Sequence, residues 1–188
     1  MAAMMVFCGG VLHLLKYEQV RPAARVLGRL LAKAIAGFGE PLLVKGAVVV
    51  PVPLHRRKLR ERGFNQTELI AREALKLSPW KGKLSLRPRV LERRRETRSQ
   101  IGLTRPQRKE NMRGAFEVVR PQEIAGREIL LVDDVFTTGT TVSECAGVLR
   151  RAGATKVYVA TVARTLKWGV QEIELPEALT DERRVLAG

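Results

Sequence analysis

Apolar residues recur along this 188-residue chain in two rhythms. Over residues 11–37 they fall at helical spacing, at Leu12, Leu15, Val26, Leu27, Leu30, Leu31, Ala34 and Ile35. Pro22 starts a second helix there or kinks one long helix, and Gly37 and Gly39 end the pattern. AVVVPVPL at 47–54 is β-branched and apolar, as a buried strand is. Helical spacing returns in NQTELIAREALKL at 65–77, with Leu69, Ile70, Ala74 and Leu77 on one face and Asn65 or Thr67 as cap. Short strands are expected at 89–95 and 115–119, and a short helix over 104–112 opening at Thr104. REILLVDD at 127–134 and KVYVATVAR at 156–164 read as clear strands. Between them TVSECAGVLRRAGA reads as a helix with Val142, Cys145, Ala146, Leu149 and Ala152 inward and Gly153 as its stop. Residues 94–103 have the composition of an exposed loop.

Strands that alternate with helices and are apolar on both faces predict an α/β fold around a mostly parallel sheet covered on both sides. The expected division is a helical segment over 1–40, a core over 41–165 and a tail over 166–188. In such folds ligands bind beyond the C-terminal ends of the strands.

Composition adds one strong fact, a formal net charge of +15. It is focused. Residues 54–62 hold five basic residues against one acidic, and residues 87–113 hold ten against three, so the two segments carry +11 of the total. A polyanionic partner is expected, nucleic acid or a polyphosphate metabolite. No apolar run approaches the roughly 20 residues of a membrane span. The N-terminus lacks the basic start of a signal peptide, so a cytoplasmic location without membrane insertion is expected. Cys8 and Cys145 make neither a disulfide framework nor a metal cluster. Aromatic residues near the basic segments are sparse, Phe64 and Phe116, which weakens any base-stacking platform.

The candidate chemistry lies in ILLVDDVFTTGTT at 129–141. A pair of acids at a strand exit is common and says little alone. The loop says more. Thr137, Thr138, Gly139, Thr140 and Thr141 lead straight into a helix, whose first N–H groups are unpaired and whose dipole favours an anion. A glycine lets successive N–H groups curl round one point, and hydroxyls add donors without bulk. Together these suit a monophosphate. Two like charges at 4 Å repel by roughly 4 kcal/mol in a surface-like dielectric, so acids beside a phosphate call for another role. Asp133 and Asp134 would accept from the vicinal hydroxyls of a ribose, or hold a metal ion that bridges hydroxyls and phosphates. A 5-phosphorylated ribose spans both features.

That stretch resembles the phosphoribosyl pyrophosphate (PRPP) signature of type I phosphoribosyltransferases. VVVPVPLHRRKLRERGFNQTELIA at 48–71, RRRETRSQIGLTRPQRKENMRGAFEV at 93–118 and the helical opening VLHLLKYEQVRPAARVLGRLLA are similar to segments of the ComF/GntX-like competence-protein family. The resemblance covers about residues 9–165. It implies a type I phosphoribosyltransferase-like fold with a mobile basic loop over 94–111, and a link to DNA uptake. It places the pyrophosphate side of a PRPP site at Pro53, Leu54, His55, Arg56 and Arg62, with Arg95, Arg98 or Arg108 neutralising the leaving group beside the catalytic Asp133 and Asp134. Magnesium would arrive with PRPP. Gln100 and Asn111 are polar candidates without a named task. Many family members begin with a four-cysteine zinc finger; Cys8 stands alone here, so no structural zinc is expected.

Two functions of different class follow. The first is phosphoribosyl transfer from PRPP to a nitrogenous acceptor. The second is a non-catalytic competence protein whose arginines grip single-stranded DNA or an import helicase. A nucleotide-sensing regulator is a third reading.

Overall fold

Val48, Val49 and Val50 are fully buried, and the strand that carries them, β2 (Ala47–Pro51), stands inside a parallel sheet. A computed structural model of the protein describes residues 3–5, 15, 22–38, 46–77, 82–97 and 104–164. Five strands lie in the order β1 (Ala3–Met5), β7 (Lys156–Arg164), β6 (Glu128–Phe136), β2 and β3 (Leu84–Leu86), with every neighbouring pair parallel. This is the expected mostly parallel sheet. β4 (Leu91–Arg93) and β5 (Phe116–Val118) make a separate antiparallel pair.

Alternation along the strands builds two cores. Val49, Leu130, Val132, Tyr158, Ala160 and Val162 face α1 (Ala23–Ala36) and α3 (Gln66–Leu77). Val48, Val50, Ile129, Leu131, Val157 and Val159 face α5 (Thr140–Arg151) and the β4–β5 layer, through Val142, Cys145, Leu149, Leu91, Met112 and Phe116. Each Val, Leu or Ile so buried contributes about 1.5–3 kcal/mol, so both faces hold the sheet in place. α1 starts after Pro22 and ends at Gly37, as expected. It packs on α3 through Gly28, where a Cβ would stand 2.5 Å from the Glu73 Cβ. Among the described residues of the 11–37 pattern, Leu15 is helical and buried. Leu12 and Gly39 lie outside those residues, as do the tail over 166–188 and the 98–103 part of the basic loop.

The structure departs from the expected elements in three ways. β6 does not stop at the acids but runs on to Phe136, because β7 keeps pairing with it through Asp133–Thr161, Val135–Ala163 and Phe136–Arg164. The basic run after β2, where no element was expected, is a helix, α2 (Arg56–Arg62). The His55 side chain caps it by accepting from the Arg57 N–H at 3.4 Å, and Gly63 ends it in the left-handed region. Finally, β1, β3 and a 3-10 turn at Pro121–Glu123 arise where no element was expected. α4 (Arg105–Met112) does open at Thr104, whose N–H donates to Gln107 Oε1 at 2.9 Å.

Candidate functional site

β2 and β6 are neighbours in the sheet, and the chain leaves them in opposite directions. From β2 it passes through α2 and α3 to β3 on one side. From β6 it passes through α5 to β7 on the other. Such a switch opens a crevice at the C-terminal ends of the two strands. Val52–Arg62 and Asp133–Thr141 both start there.

On the β2 side, Asn65 fixes the turn. Its Nδ2 donates to the Val52 carbonyl at 3.1 Å, and its Oδ1 accepts from the Thr67 N–H at 3.1 Å, which caps α3. Pro53, Leu54 and His55 are half-buried; Arg56 is exposed. The basic run is largely committed to the protein itself. Arg56 pairs with Glu92 at 3.6 Å, and Arg57 with Glu61 at 2.9 Å and Glu96 at 3.4 Å.

On the β6 side, α5 begins directly after the loop of threonines. Gly139 is buried at φ +77°, the left-handed region that glycine enters without cost. A Cβ there would meet the Phe136 ring at 2.9 Å, so ring and loop are fitted to one another. Thr138 Oγ1 and Thr140 Oγ1 share a hydrogen bond of 2.8 Å, and Thr137 is exposed. The loop's backbone donors lie at the positive end of a 12-residue helix.

The two acids are both buried, at 9% and 8% exposure. Being consecutive in a strand, they point to opposite faces. Asp134 turns to the α3 side, where its Oδ2 accepts from Gln66 Nε2 at 2.7 Å. Gln66 is itself 4% exposed, and its Oε1 accepts from Arg62 Nη1. Asp133 turns to the α5 side, and its Oδ1 accepts from the Asp134 N–H at 2.9 Å. On that side Cys145 is fully buried; burial, then the Asp133 charge, pushes its thiol well above the ordinary range. It is an inert core thiol.

The same face carries Arg93, which the sequence pattern does not single out. Its guanidinium lies 5.6 Å from the Phe116 ring centroid and donates to Thr97. Burial draws its pKa down, against the opposing pull of Cys145 and Asp133. Gln66 is a second residue that the motifs do not mark. Arg95 is exposed, and its Nη2 donates to the carbonyls of Asn111 at 2.9 Å and Arg113 at 2.8 Å. It closes the C-terminal end of α4. Arg98 and Gln100 lie outside the described residues, and Arg108 stands in α4.

Among the described residues no three His, Cys, Asp or Glu side chains gather to hold a metal ion, and no helix is long and apolar enough to cross a membrane. Two carboxylates at one strand end still suit magnesium, which keeps much of its water and binds through one or two carboxylates plus substrate phosphates.

A family model described as a phosphoribosyl transferase domain matches residues 87–172. A "DNA utilization protein YhgH" of Salmonella typhi is 36% identical over 160 residues, 83% of this chain and 66% of its own length. "Competence protein F" of Haemophilus influenzae is 34% identical over 142 residues, 74% of this chain and 60% of its own length. This chain therefore spans 60–66% of the length of those relatives. Among solved structures, an allosteric regulatory enzyme of purine biosynthesis aligns with 88% of this chain and 33% of its own at 24% identity, with a TM-score of 0.45.

Proposed function

Because the chain belongs to the ComF/GntX-like family of competence proteins, with a type I phosphoribosyltransferase-like fold, we propose that its crevice binds PRPP with magnesium and transfers the phosphoribosyl group. One observation carries the reading: the threonine loop, both acids and the turn after β2 meet at a single switch point in the sheet. The loop residues Thr137–Thr141 receive the 5-phosphate on backbone N–H groups and hydroxyls. Asp133 and Asp134 are the acids assigned to the ribose diol, one hydroxyl each, from the two faces of the strand end on which they are braced. Bound with the ligand, magnesium would neutralise charge on the departing pyrophosphate, and Asp133 and Asp134 are the carboxylates that would hold it. A nitrogen of the acceptor forms a bond to the anomeric carbon and releases its proton to solvent, the carbon–oxygen bond to pyrophosphate breaks, and pyrophosphate leaves with the electron pair. The protein's part is positioning and electrostatic stabilisation. Isothermal titration of the full chain with PRPP and magnesium tests the reading. Heat with the wild type, lost in Asp134→Asn, is expected; a silent wild type sinks it. Binding with no pyrophosphate released in the presence of nucleobases would make the site a sensor.

A second reading, contact with single-stranded DNA or a competence partner, is favoured by a cleft that none of the crevice residues lines. Arg72, Arg87, Arg89 and Arg120 line an open cavity of about 580 Å³ with Leu86, Pro88 and Glu123. Glu123 holds two of these arginines, Arg87 at 3.1 Å and Arg120 at 3.2 Å. Such a surface suits a phosphodiester backbone. A gel shift across salt concentrations tests it. A slope of roughly −0.7 per phosphate neutralised is expected, reduced in Arg89→Glu/Arg120→Glu; no shift at low salt would rule it out.

A further inference from the structure

The β4–β5 layer touches the main sheet through a backbone bridge between His55 and Arg93. That bridge sets Arg93 beside the turn leaving β2, on the pyrophosphate side of the crevice proposed above. Its guanidinium is held over Phe116, opposite it in the β4–β5 register, 5.6 Å from the ring centroid. Nη2 donates to Thr97 and reaches Met112 Sδ at 3.9 Å. Nε is buried and has no hydrogen-bond partner among the described residues. A buried donor left unpaired is costly, and native proteins rarely keep one without use. The charge is fixed in place as well. The Asp133 carboxylate attracts it from the β6 side, while Arg95 opposes it and Glu96 favours it.

We propose that Arg93 is a ligand-binding residue of the crevice, its buried Nε–H reserved for an anionic phosphate oxygen of the phosphoribosyl ligand. The inference rests on the phosphoribosyl reading and names the residue that reading lacked. A guanidinium presents its donors in a rigid planar fork matched to phosphate. Phe116 fixes the plane of that fork, and the cation–π contact engages the face of the guanidinium, not its N–H edge. Arg94, the next residue, does the opposite. It points outward and is clamped between Glu92 at 2.8 Å and Glu117 at 2.7 Å. The oxygen belongs to the 5-phosphate or to the pyrophosphate, and the two can be offered separately.

The full chain is titrated calorimetrically with PRPP and magnesium, then with ribose 5-phosphate and with magnesium pyrophosphate. The variants are Arg93→Met, which keeps an apolar contact on Phe116, Arg93→Lys, which keeps the charge without the Nε–H, and Arg94→Met as control. Circular dichroism and melting report the fold of each. PRPP affinity is expected to fall about tenfold or more in Arg93→Met and clearly in Arg93→Lys, with Arg94→Met within about twofold of wild type. The half-ligand whose affinity falls in parallel identifies the oxygen. Wild-type binding that both Arg93 variants retain within about twofold overturns this inference alone. Full recovery in Arg93→Lys overturns the Nε assignment, since charge would suffice. A wild type that binds none of the three ligands overturns the site itself, and this inference with it.

Discussion

Alanine at Gly139 is expected to cost more than any other single methyl added to the threonine loop, and its cost can be worked from two terms. The first is backbone. Gly139 sits at φ +77°, where an L-residue is disfavoured by roughly 1–2 kcal/mol. The second is contact. The new Cβ would lie 2.9 Å from Phe136 Cζ and 3.2 Å from Cε2. Overpacking of this kind costs about 1–3 kcal/mol before relaxation. Gly126 separates the terms, because it has φ +69° and nothing within 4 Å of an added methyl. Gly126→Ala should therefore lose only the first term. Urea unfolding followed by circular dichroism measures both. Gly139→Ala is expected to be destabilised by roughly 2–5 kcal/mol and Gly126→Ala by about 1–2 kcal/mol. In a chain of this size each kcal/mol moves the melting temperature by about 2–4 °C. Trimming the ring in a Gly139→Ala/Phe136→Leu double variant should recover part of the second term, as a coupling of about 1 kcal/mol. If Gly139→Ala proves no costlier than Gly126→Ala, the ring does not constrain the loop and the fitted cradle is refuted.

Gln66→Leu removes the buried donor to Asp134 and the acceptor for Arg62. Loss of a hydrogen bond to a charged group predicts about 1.5–3 kcal/mol of destabilisation in urea, and weaker binding of any diol-bearing ligand at the crevice; unchanged stability would mean that Asp134 is braced from elsewhere. Cys145→Ala tests linkage, in a Cys8→Ser background. The unfolded thiol ionises near its ordinary value of about 8.5, while the folded one is raised well above its usual range. Stability is full below the unfolded value. It falls as pH rises through the window up to the folded one, because only the unfolded chain has released its proton, with a slope of at most about 1.4 kcal/mol per pH unit. Unfolding curves taken across that alkaline window should fall more steeply with pH in Cys8→Ser than in Cys8→Ser/Cys145→Ala.

The elements legible in the sequence were those with a strong apolar rhythm: β2, β6 and β7, buried on both faces, and α3 and α5, with one apolar stripe each. α2 was invisible because RRKLRER has no apolar face. Its cap, its left-handed glycine and the Arg57–Glu61 pair hold it instead. β1 and β3 are three residues each, too short for any period to register, and their neighbours in the sheet make them strands. The loop and the acids of the site were legible as a motif, but their bracing was not. Gln66 and Arg93 act across 68 residues and through a bridge to another layer. Each still left a trace. Gln66 lies four residues before buried Ile70 on the inner face of α3, and Arg93 alternates with buried Leu91. A polar side chain on an apolar face is the pattern that marks such residues.

Consecutive positions on an extended strand cannot look the same way, and Asp133 and Asp134 inherit different surroundings from that simple rule. The end of β6 is thus tuned by two independent supports. Substitutions on the helical side reach one carboxylate through Gln66, and those on the β4–β5 side reach its neighbour's surroundings through Arg93. On the proposed phosphoribosyl reading, grip on a sugar and grip on its anionic ends can therefore be altered separately by substitution, with the motif itself unchanged.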